Sequence, residues 1–266
     1  MLAELERAAR RMETPCGAGR MVWRGWGAGA PLVLLHGGSG SWRHWARQIP
    51  AFAPTRLVLA PDLPGLGESD DPPGETPEAV AGVVADGLGQ VLGGTAGVDL
   101  AGFSFGAIVA GHVAARLPLR RLAILGAGGL GTARSPVPLV KVRDKTGAER
   151  EAAHRANLAS LMIADPARID ALALEIQEAN SAGARLRSRQ FAPSATLLDA
   201  LRRAPAPLTA IWGERDAVAW PNLDSRIAVL REARPDAAVH VVPGAGHWVG
   251  YEAAAEVNAI LREVLA

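Results

Sequence analysis

The sequence predicts an α/β fold in which a mostly parallel sheet carries helices on both faces. Two observations lead to this prediction: short apolar runs flanked by glycine and proline, and longer segments of helical period between them. The apolar runs are nearly continuous in hydrophobicity, which is typical of strands buried on both faces. The strand candidates are residues 31–35, 56–60, 98–101, 122–125, 208–212 and 238–242.

The alternation of strands and helices is interrupted between residues 131 and 203. This segment contains helical patterns and no convincing strand, and Ile169, Leu172 and Ile176 recur in it at spacings of three and four. That spacing places them on one helical face, which we expect to pack on the core. The proline-rich run at 204–207 then returns the chain to the sheet. We therefore expect a core domain formed by residues 1–130 and 204–266, with a helical cap inserted at 131–203.

Composition and charge argue against nucleic acid or a membrane surface as a partner. The 28 basic and 27 acidic residues give a net charge of +1, too little to attract nucleic acid or an anionic membrane broadly. The sequence contains no run of 18 consecutive apolar residues, so no membrane span is expected. Charged residues interrupt the first twelve positions, so no export signal is expected either. These absences favour a cytoplasmic protein. The sequence leaves the oligomeric state open, with a homodimer as one alternative.

Ser104 is the candidate nucleophile. It is the central residue of Gly-Phe-Ser-Phe-Gly at 102–106, which follows an apolar strand and precedes a helical run. This is the setting of a nucleophile elbow, a turn so tight that the residues two positions before and after the serine must be nearly free of side chains. Two glycines around a serine also occur by chance in a chain with 30 glycines. The strand-turn-helix setting favours the catalytic interpretation.

A serine nucleophile needs a base, and that base needs a carboxylate to orient it. His247 lies in a glycine-rich loop directly after the last strand, whereas the other five histidines lie in less suitable settings. Asp216 follows the strand at 208–212, with Glu214 as its nearest competitor. The chain order serine, aspartate, histidine favours Asp216, because that order is typical of one family of hydrolases.

A second glycine-rich turn, His-Gly-Gly-Ser-Gly at 36–40, follows the first long strand. Glycines there expose backbone N–H groups, which stabilise negative charge on a reacting carbonyl oxygen. We assign Gly38 and Phe105 as the oxyanion-hole donors, each through its backbone N–H. A plain flexible turn is the alternative for residues 36–40.

Five motifs together resemble the signatures of the α/β-hydrolase family, in its order and near its spacing. They are HGG at 36–38, DLPGLGESD at 62–70, GFSFG at 102–106, WGERDAV at 212–218 and GAGHW at 244–248. The resemblance covers residues 31 to 250 approximately and implies a sheet of about eight strands with a helical cap over the nucleophile. It also implies a serine hydrolase that cleaves esters or related acyl bonds through an acyl-enzyme, without metal or organic cofactor. Serine at position 104, where haloalkane dehalogenases and epoxide hydrolases carry aspartate, argues against those two activities.

A narrower resemblance points to a different reaction. The segment HWVGYE at 247–252 is similar to the region around the catalytic histidine of carbon–carbon bond hydrolases that open meta-cleavage products, which are vinylogous diketo acids. Arg189 would then match the cap arginine that holds the substrate carboxylate. Those enzymes usually carry asparagine where this chain has Phe103, and Gly-Pro-Gly where it has residues 39–41. A receptor that keeps the triad but turns over little is a third alternative.

Two groups of side chains near the expected site have double interpretations. Arg185 and Arg189 are four apart, so a helix would place them on one face, as an anion site or as an ordinary solvated face. Trp42, Trp45 and Trp248 flank the expected site. They either line an apolar substrate pocket or pack between loop and core. We list Arg189, Trp42 and Trp248 as candidate substrate-binding residues.

Overall fold

The computed structural model describes residues 1–133 and 136–265. Arg134 and Ser135, within the expected cap, and the last residue, Ala266, lie outside the described residues. The described strands form one eight-stranded sheet in the order β1-β2-β4-β3-β5-β6-β7-β8. Strands β1 and β2 are antiparallel to their neighbours, and the other six run parallel to one another. The strands are Arg10–Cys16, Gly19–Trp26, Pro31–Leu35, Leu57–Pro61, Asp99–Phe103, Arg121–Leu125, Leu208–Gly213 and Ala238–Val242. The predicted fold class is confirmed.

Helices cover both faces of this sheet. In chain order, α1 to α10 are Leu2–Ala8, Ile49–Phe52, Pro77–Leu92, Phe105–Ala114, Gly147–Asn157, Ala171–Ala182, Thr196–Leu201, Leu223–Ala233, Val249–Glu252 and Ala254–Val264. Short 3₁₀ turns add Trp42–Trp45, Pro166–Arg168 and Ser188–Phe191, and α5 continues into a single π turn at Leu158–Met162. None of the helices in the described ranges is long and apolar enough to cross a membrane.

Two apolar layers pack on opposite faces of the sheet. Along β3, Val33 and Leu35 belong to one layer and Leu32 and Leu34 to the other, as the alternation of side chains along a strand requires. The first layer contains apolar residues of α3, α4, α7 and α8, and the second contains those of α2, α6 and α10. The central strands are therefore buried on both sides.

The edge strands differ from the sequence prediction. Strands β1 and β2 are absent from the candidate list, because β1 has exposed polar residues and β2 carries Arg24, which interrupts its apolar pattern. Strand β8 has the predicted position, but Ala238 and Val241 are exposed. It pairs only with β7 and lies at the edge of the sheet, so it is not covered on both faces as its sequence indicated.

The DLPGLGESD motif at 62–70 forms a buried cluster of hydrogen bonds and ion pairs beside the 3₁₀ turn at residues 42–45. Asp62 is fully buried and accepts hydrogen bonds from the backbone N–H groups of Trp42, at 2.9 Å, and Glu68, at 3.1 Å. It also pairs with the buried Arg24 guanidinium at 3.2 Å. Burial alone would lower the pKa of Arg24, but Asp62, Glu6 and Glu68 raise it above its ordinary value. The motif thus fixes the start of the 3₁₀ turn at residues 42–45.

Between β6 and β7 the described residues contain helices and irregular segments, and no strand. Ile169 and Ile176 are buried and Leu172 is partly buried in the second apolar layer, so these side chains pack on the core as expected. Ile169 precedes α6, however, so only Leu172 and Ile176 lie on that helix. The last helix, α7, packs in the first layer together with α4. The division at residues 131 and 203 remains a proposal.

Arg185 and Arg189 do not share an α-helical face. Residues 183–187 are irregular, and Arg189 lies in a short 3₁₀ turn. The backbone N–H groups of Arg185 and Leu186 both donate to the Gly65 carbonyl at 3.0 Å, and the Arg185 guanidinium pairs with Asp71 at 2.8 Å. Arg185 thus anchors this segment to the loop at 62–71, and the expectation that Arg185 and Arg189 share a helical face is wrong.

Candidate active site

Ser104 lies at the turn between β5 and α4, in a strained backbone conformation with φ 53° and ψ −112°. A Cβ atom on Gly102 would lie under 3.0 Å from the Gly106 carbonyl, and one on Gly106 under 3.0 Å from the carbonyls of Leu35 and His36. Positions 102 and 106 must therefore both be glycine. The Ser104 N–H donates to the Leu125 carbonyl at 2.8 Å, which ties the turn to the end of the neighbouring strand β6.

The structure brings Ser104, His247 and Asp216 together. His247 Nε2 lies 3.0 Å from Ser104 Oγ, and His247 Nδ1 lies 2.9 Å from each carboxylate oxygen of Asp216. His247 and Asp216 follow β8 and β7, so the carboxyl ends of parallel strands place them at the same edge of the sheet as the turn after β5. This geometry permits the histidine to take the serine proton while the carboxylate holds its tautomer.

The surroundings of Asp216 keep it ionised. Burial alone would raise its pKa, but His247 and the backbone N–H groups of Val218 and Ala219 lower it below the ordinary value for aspartate. Those two N–H groups donate to Oδ1 at 2.8 and 3.1 Å. The competing carboxylate, Glu214, is exposed and accepts from the Gly244 N–H at 2.8 Å. Glu214 therefore stabilises, from the solvent side, the loop that carries His247.

The glycine turn at 36–40 lies against the nucleophile turn. A Cβ atom on Gly37 would be 3.3 Å from the Ser104 Cβ, and one on Gly38 would be 3.6 Å from the Phe105 Cβ. Gly38 and Phe105 line the same cavity as Ser104. Among the described residues, neither backbone N–H has a protein acceptor, and Phe105 is the first residue of α4. Both groups are thus available to an oxyanion, and the helix N-terminus adds a favourable dipole.

His44 and His36 support this turn, a role that the sequence did not indicate. The Gly37 N–H donates to His44 Nδ1 at 3.2 Å, and the Leu63 N–H donates to His36 Nε2 at 2.8 Å. Burial lowers the pKa of both histidines. The pKa of His44 lies well below its ordinary value, because the nearby His36 and His247 lower it further. Both rings are therefore neutral and accept these backbone hydrogen bonds.

The cavity above Ser104 has a volume of about 640 Å³, including the part open to solvent. Ser188 and Arg189 both line its wall, so the candidate substrate-binding residue Arg189 lies at the same cavity as Ser104. The apolar part of the wall consists of Phe103, Phe105, Ile108, Leu161, Met162, Ala192 and Val218. The wall of the cavity thus combines apolar and polar residues.

Trp42 and Trp248 do not line this cavity, contrary to the sequence prediction. Trp42 is fully buried beside Trp26 and under the guanidinium groups of Arg24 and Arg43. Trp248 is also buried, and its indole N–H donates to the His44 carbonyl at 3.1 Å. Both rings pack between loops and core, which is the second of the two interpretations given above.

Within the described ranges, no group of three or more His, Cys, Asp or Glu side chains is arranged to hold a metal ion. The site contains His247 and Asp216, which are hydrogen-bonded to each other, and His247 is in turn hydrogen-bonded to Ser104. Arg189 lies at the cavity wall.

Comparison with known proteins agrees with this architecture. The chain is 34% identical over 238 residues to the dihydrolipoyllysine-residue acetyltransferase component of an acetoin cleaving system from Pseudomonas putida, covering 86% of this chain but only 62% of that protein. It is 27% identical over 260 residues to a 2-hydroxy-6-oxo-6-phenylhexa-2,4-dienoate hydrolase from Burkholderia cepacia, covering 90% and 89% of the two chains. The crystal structure of an esterase from Rhodococcus sp. ECU1013 superposes with a TM-score of 0.77 at 21% identity, over 97% of this chain and 98% of the other.

The family model described as the alpha/beta hydrolase family matches residues 32–260, which include the glycine turn, the nucleophile turn and both partner loops. The chain therefore belongs to the alpha/beta hydrolase family.

Proposed function

We propose that this protein is a serine hydrolase that cleaves a carboxylic ester or a related acyl bond through an acyl-enzyme. The observation that carries the proposal is the relay of hydrogen bonds from Ser104 to His247 at 3.0 Å and from His247 to Asp216 at 2.9 Å. A serine hydroxyl becomes a nucleophile only when a base within hydrogen-bond reach takes its proton.

In the first half-reaction, Ser104 Oγ attacks the substrate carbonyl and its proton moves to His247 Nε2. Asp216 stabilises the resulting imidazolium, and the N–H groups of Gly38 and Phe105 hold the carbonyl oxygen as it becomes negative. The imidazolium then protonates the leaving alcohol, which departs. In the second half-reaction, His247 takes a proton from water as the water oxygen bonds to the acyl carbon. The bond from that carbon to Ser104 Oγ then breaks, the imidazolium returns its proton to Ser104 Oγ, and the acyl group leaves as a carboxylic acid. No step requires a metal or an organic cofactor.

The cavity supports a small, partly apolar acyl substrate. Its wall combines Leu161 and Met162 from the segment between β6 and β7 with Ile108 and Val218 from the core. We propose that residues 131–203 act as a cap whose packing sets the size of the acyl group. Substrates of increasing acyl length are then expected to show an optimum, because residues of both parts line the cavity and limit the space for the acyl group.

The test is replacement of Ser104 with alanine, followed by turnover of short p-nitrophenyl esters. We expect the wild-type protein to show burst kinetics and the S104A variant to lose turnover, while its circular dichroism stays unchanged. Turnover retained in S104A would overturn the assignment. A wild-type protein that hydrolyses no ester, lactone or thioester and reacts with no fluorophosphonate would favour the receptor alternative.

A second candidate function is hydrolysis of a carbon–carbon bond in vinylogous diketo acids. The specific observation is that Arg189 lines the same cavity as Ser104, in a chain that resembles the Burkholderia cepacia hydrolase over nearly its whole length. A guanidinium at the wall is suited to a substrate carboxylate. If this second function is correct, the R189A substitution raises KM for carboxylate-bearing substrates far more than for neutral esters. An equal rise in KM for both kinds of substrate would contradict it.

A further inference from the structure

The segment at 185–188 brings a hydroxyl group to the oxyanion turn. The backbone N–H groups of Arg185 and Leu186 donate to the Gly65 carbonyl, and the Arg185 side chain bonds to Asp71 and to the Ser69 carbonyl. The Ser188 N–H then donates back to the Leu186 carbonyl at 3.2 Å. These contacts fix the backbone immediately before Ser188 to the core.

Ser188 is buried, with 5% of its surface exposed, and it lines the cavity together with Ser104. A Cβ atom on Gly38 would lie under 3.0 Å from Ser188 Oγ, so the hydroxyl rests directly on the glycine that we assign as an oxyanion donor. In the described part of the chain, the hydrogen bond found for Ser188 is that of its backbone N–H, and its hydroxyl has no protein partner. The hydroxyl of this largely buried residue is thus available to a group bound in the cavity.

We propose that Ser188 is a catalytic residue whose hydroxyl donates a third hydrogen bond to the oxyanion, beside the N–H groups of Gly38 and Phe105. This inference rests on the proposed function. The bond from Ser104 Oγ to the carbonyl carbon forms as the carbonyl π pair moves onto oxygen, and the serine proton passes to His247. The Ser188 O–H stabilises that oxygen without giving up its proton. Ser188 lies between β6 and β7, whereas Gly38 and Phe105 lie in the core. The oxyanion hole therefore has all three donors only when residues 185–188 are packed against the core.

The test compares S188A with S194A, a control on the same stretch of chain. Ser194 Oγ donates to the Phe191 carbonyl at 2.7 Å, and Ser194 does not line the cavity. In p-nitrophenyl ester hydrolysis we expect kcat of S188A to fall by about 10-fold or more with little change in KM, since an oxyanion donor acts mainly in the transition state. We expect S194A to keep its kcat.

A trifluoromethyl ketone gives a second measurement, because Ser104 converts it into a tetrahedral adduct that carries the oxyanion. The inhibition constant of this ketone is expected to rise in S188A by the factor by which kcat/KM falls. An unchanged kcat in S188A, an equal loss in S194A, or a loss confined to KM would each overturn the role of Ser188. If wild-type protein and S104A behave alike, the proposed function itself fails, and that outcome is distinct from a failure of S188A alone.

Discussion

Gly106 and Gly89 offer a pair of substitutions for which the structure predicts opposite effects. A methyl group on Gly106 would lie under 3.0 Å from the backbone carbonyls of Leu35 and His36, whereas nothing lies within 4 Å of one placed on Gly89. Neither carbonyl can move without shifting β3. Overpacking of this kind typically costs about 1–3 kcal/mol, and contact with backbone on two sides places G106A near 3 kcal/mol. Gly89 lies inside α3, where alanine is favoured by about 1 kcal/mol.

The two variants are therefore expected to differ in free energy of unfolding by about 4 kcal/mol, or about 10 °C in Tm for a chain of this size. Guanidinium unfolding followed by tryptophan fluorescence measures the difference. Because Gly106 adjoins Phe105, G106A is also expected to lose esterase activity, whereas G89A keeps it. Equal stability of G106A and wild type, or destabilisation by G89A, would refute the description of the nucleophile turn.

Two further predictions concern the partners of the site. The D216N variant is expected to lose about 10³- to 10⁴-fold in kcat, because an amide no longer holds the histidine tautomer. The control variant E214Q, on the same turn, is expected to keep most of its activity. A loss under ten-fold in D216N would contradict the role of Asp216 in orienting His247. Stability is expected to fall below pH 6.5, because His36 and His44 have lowered pKa values when folded, so the unfolded chain binds the additional protons. Each histidine changes the free energy of unfolding by up to about 1.4 kcal/mol per pH unit. In the H44Q variant, the free energy of unfolding measured with urea is therefore expected to depend less steeply on pH between pH 7 and 5. The same pH dependence in H44Q and wild type would count against a neutral His44.

The central sheet was predictable from sequence because strands buried on both faces have continuous apolar runs. Strand β2 was missed because Arg24 interrupts its pattern, and only three-dimensional proximity to Asp62 and two further carboxylates explains a buried guanidinium there. Strand β8 was found, but its exposure depends on its place at the sheet edge. Strand order along a sheet is set by long-range pairing and does not appear in a local pattern.

The same limit applies to the candidate site. Ser104, Asp216 and His247 stand out because each lies in a turn directly after a strand, and parallel strands end at one edge of the sheet. Trp42 and Trp248 were misplaced because closeness in sequence to a catalytic loop does not fix the direction of a side chain. Ser188 and His44 were missed because no local pattern marks them: contacts with Gly38 and Gly37 across the fold give them their importance.

Covalent labelling tests the central claim most directly. Diethyl p-nitrophenyl phosphate transfers its diethylphosphoryl group to an activated serine, and peptide mapping by mass spectrometry locates the adduct. The relay of Ser104, His247 and Asp216 predicts one adduct per chain, on Ser104, formed much more slowly in an H247N variant. An adduct on another residue, or equally rapid labelling of the S104A variant, would contradict the assignment of Ser104 as the nucleophile.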